Sequence, residues 1–160
     1  MADELGSASR TGGWARLRNG EDRDDLSLEQ IEDNEWGEPP ADATRLIRTV
    51  HDVRRKPLGN LDAEDYRVLL LQQVGVEVLV PRALTQLERD PLWEGDFYPG
   101  DVLSAVLQLP EQYWRTHPDQ LARLSGVVAA LGDARELEVM GAPGGPLRDR
   151  IDEFRHRVGA

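Results

Sequence analysis

The stretch LDAEDYRVLLLQQVG, residues 61–75, decides the fold class. The Asp62 side chain can accept from the free amides of a helix start, and Glu64 and Asp65 sit favourably in the positive first turn. Val68 to Leu71 then present apolar surface on every side, which is the pattern of a helix with no solvent face. Gly75 breaks the run. The spacing predicts a helix from 62 to about 73, and it marks this helix as the most buried of the fold.

Upstream, Pro57 and Gly59 stop a helix in which Leu46, Ile47, Val50 and Val53 recur at helical spacing, with Arg45, Arg48, Asp52 and Arg55 elsewhere around it. Asp42 or Thr44 caps that helix, and Pro39 and Pro40 keep the chain extended before it. Ser27 with Gln30 has the spacing of a reciprocal capping box and opens a short helix that ends by Gly37. Downstream, Leu79, Ala83, Leu84 and Leu87 continue a helical stripe, with Pro81 tolerable in a first turn. Val102, Leu103, Val106 and Leu107 form the next amphipathic stretch, and 110–116 and 118–131 follow as one kinked helix or two abutting ones, with Pro118 as a first-turn residue and Gly132 as the stop. Leu147, Ile151, Phe154 and Val158 make the last helix. The expected fold is mainly α, a single compact domain of about six or seven helices with a disordered N-terminal tail. The expected divisions are an acidic tail over 1–26, the helical domain over 27–131, a flexible linker over 132–146 and a C-terminal amphipathic helix over 147–160.

The totals narrow the function. Net charge is −11 and there is no cysteine, so neither a disulfide framework nor a thiolate metal site is available. No segment has the apolar core of a secretory signal or approaches the roughly 18 apolar residues of a membrane span, so a cytoplasmic protein that does not engage a membrane is expected. A nucleic-acid binder would carry the opposite sign of charge, because Lys and Arg contacts to phosphate supply most of that affinity. The charge is also uneven. Residues 1–43 hold twelve acids and four bases, 44–57 hold five bases (Arg45, Arg48, Arg54, Arg55, Lys56) and one acid, and 58–101 hold nine acids and three bases. The negative sign of the total favours a basic partner, or simply solubility.

Catalytic chemistry does not assemble. His51, His117 and His156 are the three histidines, none at metal-ligand spacing from another, and the glycines over 141–145 lack the Lys-Ser/Thr of a phosphate loop. Asp96 with Asp101, or Glu35 with Glu38, have the composition of an acid/base or cation pair, but carboxylates are plentiful enough for chance pairs. No enzyme, cofactor or metal is expected. Two segments instead concentrate rings, carboxylates and conformational punctuators: Glu35, Trp36, Gly37, Glu38, Pro39, Pro40, and Glu94, Gly95, Asp96, Phe97, Tyr98, Pro99, Gly100, Asp101. Rigid recognition surfaces are commonly built on such loops. A scaffold reading has Asp101 cap the following helix while Phe97 and Trp36 pack inward. A binding reading turns Glu35, Trp36, Glu38, Glu94, Asp96, Tyr98 and Asp101 toward a partner.

Five ordered motifs then resemble those of immunity proteins of contact-dependent growth inhibition systems: E-W-G-E-P-P from Glu35, R-R-K-P-L-G from Arg54, L-L-x-Q-Q-V-G from Leu69, L-V-P-x-A-L from Leu79, and D-P-L-x-E-G-D-F-Y-P-G-D from Asp90 to Asp101. The resemblance covers about residues 27–109. It implies a cytosolic protein that binds a cognate toxin domain, in many cases a nuclease with a basic substrate surface, and neutralises it by occlusion. The alternative without that resemblance is a helical cytosolic adaptor with no catalytic activity.

Overall fold

Capping chemistry sets where the helices begin. In the computed structural model, which describes residues 23–159, Ser27 and Gln30 form the reciprocal capping box and start α1 (Leu28–Glu32), while the Thr44 hydroxyl accepts the Ile47 amide at 3.2 Å and starts α2 (Arg45–Arg54). Asp62 and Asp65 form a second box at the head of α3 (Ala63–Leu71). The helices that follow are α4 (Val76–Arg89), α5 (Asp101–Leu107), α6 (Glu111–Thr116), α7 (Pro118–Ala129), α8 (Ala134–Val139) and α9 (Gly144–Val158). Among the described residues there is no strand, only an isolated bridge between Ser27 and Pro57. The fold is mainly α, as the periodicities indicate.

The chain divides into two compact units, Met1–Leu61 and Asp62–Ala160, so the expected 27–131 block is split after Leu61. In the first unit, the segment before α1 is tied to the 3-10 turn Leu58–Asn60: the Leu58 amide donates to Leu26 O and the Gly59 amide to Asp24 O. The tail expected over 1–26 therefore ends earlier at its described edge. Its residues 1–22 lie outside the described residues. Along α2, Val50 and Val53 are buried, whereas Leu46 and Ile47 at its start are 43% and 42% exposed, so the apolar stripe is covered only in its second half.

In the second unit, α3 packs on α4 and α5, α4 on α7, and α9 on α5, α6 and α8. Leu79, Val80, Ala83, Leu84 and Leu87 of α4 are fully buried, each such large side chain contributing about 1.5–3 kcal/mol relative to an exposed one. The helix buried at every position is α5, from Asp101 to Leu107, and not α3, where Arg67 and Glu64 keep partial exposure. Contacts from α3 and α9 cover α5, and the Arg157 guanidinium donates to Leu107 O and Leu109 O, satisfying carbonyls at its C-terminal end.

Two local expectations need correction. Pro81 lies in the second turn of α4, since that helix begins at Val76, and it leaves the Glu77 carbonyl without its usual partner. The stretch 132–146, expected as a linker, contains α8, which is started by a capping box between Asp133 and Glu136 and packs on α9. The two helices approach so closely that a Cβ on Gly144 would fall 1.9 Å from Ala134 O. No helix among the described residues is long and apolar enough to cross a membrane.

Candidate protein-binding surfaces

The loop between α4 and α5 is built around buried charge. Asp90 Oδ1 accepts the Leu92 amide at 3.2 Å and starts a turn that lays Trp93 against the Tyr66 ring, with centroids 5.3 Å apart. Leu92 is buried, and Gly100, at φ +93, turns the chain back so that its amide meets Leu92 O. Only glycine adopts that conformation readily, and an added Cβ would also press on Leu92 and Leu147 at 3.2 and 3.1 Å.

Asp101 fastens the loop tip. Its carboxylate, 3% exposed at the residue level, accepts the amides of Gly95 at 2.6 Å, Phe97 at 3.0 Å and Tyr98 at 3.4 Å. Asp101 is the first residue of α5 and not its cap, and it offers no free charge to a partner. Glu64 reaches in from α3, accepting the Asp96 amide at 3.0 Å and both arms of Arg67 at 2.6 Å. The Arg67 hydrogen bond holds the Glu64 carboxyl below its ordinary 4.5, with the Asp96 amide adding and burial opposing. The same pair raises the Arg67 guanidinium, whose carbon stands 4.2 Å above the Phe97 ring.

This scaffold displays side chains outward. Phe97 is 67% exposed, so it does not pack inward, and Glu94 and Asp96 beside it are exposed. Tyr98 is half-buried. It joins Arg67, Leu71, Phe97, Asp101, Ser104 and Gln108 in lining a shallow open hollow. Of the residues expected to meet a partner, Glu94, Asp96 and Tyr98 are thus brought together on one tip, with Asp101 as their anchor.

Glu35, Trp36 and Glu38 belong to the first unit. Trp36 is 40% exposed; one face lies 4.2 Å from the Arg54 guanidinium and its ring meets His51 edge-on at 5.2 Å. Arg54 is buried, bonded to Glu32 and to Asn34 O at 2.5 Å each. Gly37 O is held by His51 Nδ1 at 3.1 Å and by Arg55 at 2.7 Å, and Arg55 also faces Glu38 at 3.5 Å. The basic strip is therefore largely spent inside its own unit: Arg54 and Arg55 brace the Glu35–Pro40 segment, and Arg48 donates to Ala41 O at 2.9 Å. Glu35 and Glu38 are exposed.

Glu64, Arg67 and Arg54 shape these surfaces without announcing themselves in sequence. Glu64 has the appearance of an ordinary first-turn acid, and its contact lies 32 residues away. For Arg54 the signal was positional, since it stands four residues after Val50 and so on the buried side of α2. Among the described residues no three His, Asp or Glu side chains converge as metal ligands.

Neither curated protein sequences nor solved structures give a match to this chain. One protein family does, described as CDI immunity proteins, and its profile matches residues 30–124 of the 160, a span that takes in α2 to α6 and both surface segments. With more than half of its length matched, the chain belongs to the CDI immunity proteins.

Proposed function

We propose that this chain binds the cognate toxin domain of a contact-dependent growth inhibition system one-to-one in the cytoplasm and neutralises it by covering its active or substrate-binding surface, without chemistry of its own. Membership of the immunity family over 30–124 carries this reading. The form of the loop at 94–101 supports it: anchored backbone, an exposed ring and exposed carboxylates bind with little ordering cost. Glu94 and Asp96 suit a toxin with a basic substrate surface, such as a nuclease. Complementary charge there speeds encounter and penalises wrong partners.

The test is co-expression with the toxin domain encoded immediately upstream of this chain's gene. Growth rescue together with co-purification of the pair is the expected result. Continued killing at matched expression, with no complex recovered, would remove the proposal.

A further inference from the structure

Six large apolar side chains are exposed among the described residues, and the three in the second unit lie on two segments that meet at Pro99 and Gly141. Phe97 is 67% exposed, Val139 85% and Met140 65%. Phe97 lies two residues before Pro99. Val139 and Met140 close α8 just before Gly141, and a Cβ placed on Gly141 would stand 3.6 Å from Pro99 Cγ. The turn at Gly141, at φ +90, thus sets the end of α8 beside the tip of the 94–101 loop.

Neither half of this ridge is a frayed end. Leu137 of α8 is buried, the Ala142 amide donates to Leu137 O, and the Gly141 amide donates to Glu138 O. Phe97 is held by its amide on Asp101 and by Arg67 over one ring face. In these two segments Glu94, Asp96 and Glu138 are exposed near the apolar residues, Asp133 and Glu136 are exposed at the capped start of α8, and Arg135 is the one exposed base.

We propose that Phe97, Val139 and Met140 form one composite apolar contact through which the chain grips its toxin, so that α8 and its turn, beyond the family match, supply part of the affinity and partner choice. The inference rests on the toxin-binding function proposed above. Binding energy concentrates where apolar anchors are surrounded by groups that exclude water, and methionine adapts its shape to the surface it meets. The toxin surface that fits is a shallow apolar depression bordered by Lys and Arg. A second copy of this chain fits poorly, because a twofold pairing across the ridge would set its acidic border against itself.

The experiment measures binding of the full chain to the same upstream toxin domain, inactivated by substitution, for wild type, F97A, V139S/M140S and the triple variant. Exposed positions of this kind leave folding intact, which the thermal midpoint checks. Expected for V139S/M140S is a rise in dissociation rate of about tenfold or more with association within about twofold of wild type. Non-additivity between F97A and V139S/M140S is expected for one shared contact. Wild-type dissociation from V139S/M140S, with F97A impaired, overturns the inference and leaves toxin binding standing. A loss confined to the association rate also overturns it, since that marks charge steering. If V139S/M140S changes the oligomeric state of the free chain while toxin affinity holds, a second copy is the occupant and the inference fails. Absence of wild-type binding removes both readings.

Discussion

Glu32 and Arg54 share an ion pair but not an environment, for the Arg54 side chain is 1% exposed and that of Glu32 34%. Removing the carboxylate leaves a guanidinium shut away with only Asn34 O and the Trp36 face. Removing the guanidinium leaves a carboxylate that water can reach. E32A is therefore expected to cost about 3 kcal/mol and R54M about 1 kcal/mol, read by urea unfolding followed by tryptophan fluorescence. Equal losses would contradict the burial asymmetry. Asp101 gives a second residue-scale prediction. In D101N the amide replaces a charged acceptor of three backbone donors, so a loss of about 2 kcal/mol is expected, with faster hydrogen exchange at Gly95 and Phe97. Side-chain type made Arg54 read as surface charge, while Asp101 read either as a helix cap or as a partner-facing charge. Arg54 depends on partners 20 and 22 residues away, which local patterns do not encode, whereas Asp101 takes amides within six residues of itself in a loop with no regular spacing to announce them.

At the scale of the element, legibility followed the physics that acts locally. The Ser27/Gln30 box and the starts at Thr44 and Asp62 were readable because a cap and its amides lie within three residues of each other, and the start at Pro118 because proline suits a first turn. The Asp133/Glu136 box has the same spacing, but the glycines and prolines after Met140 outweighed it and hid α8. The complete burial of α5 was not legible, since it depends on α3 and α9 arriving from either side of it in the chain. The junction of α6 and α7 shows a further non-local device. His117 Nδ1 bonds Tyr113 O at 2.7 Å, Nε2 bonds Glu77 at 2.8 Å, and the ring stacks on Tyr113 at 4.0 Å. Both partners are acceptors, so both nitrogens donate only in the imidazolium. The Tyr113 carbonyl, followed by Glu77, raises His117 above its ordinary 6.5. A raised histidine stabilises fully below its unfolded value, and that contribution is lost as pH rises through the folded one. Stability of the wild type is expected to decline from about pH 6.5 upward relative to H117Q, whose profile should be flatter across the same window. Parallel profiles would show that the His117–Glu77 link contributes nothing.

For the whole molecule, the charge is divided between internal bracing and display. Arg48, Arg54, Arg55 and Arg67 are engaged with carboxylates or carbonyls of their own unit, while Glu94 and Asp96 stay exposed. The basic strip at 44–57, which interrupts the acidic charge of the sequence, is thus largely a structural brace. E94K/D96K is expected to slow association with the toxin domain about tenfold at low salt, and the difference should shrink as ionic strength rises. D22K/D24K should not produce the same loss. Equal effects would discard the 94–101 tip as the steering surface. Neutralisation by occlusion also has a stoichiometric signature that neutralisation by chemistry lacks. The most direct measurement is a titration of purified, active toxin domain with this chain, reading residual toxin activity at toxin concentrations well above the dissociation constant. A linear fall that reaches zero at one equivalent is predicted; full inactivation by a small fraction of an equivalent, or activity persisting in excess chain, would contradict it.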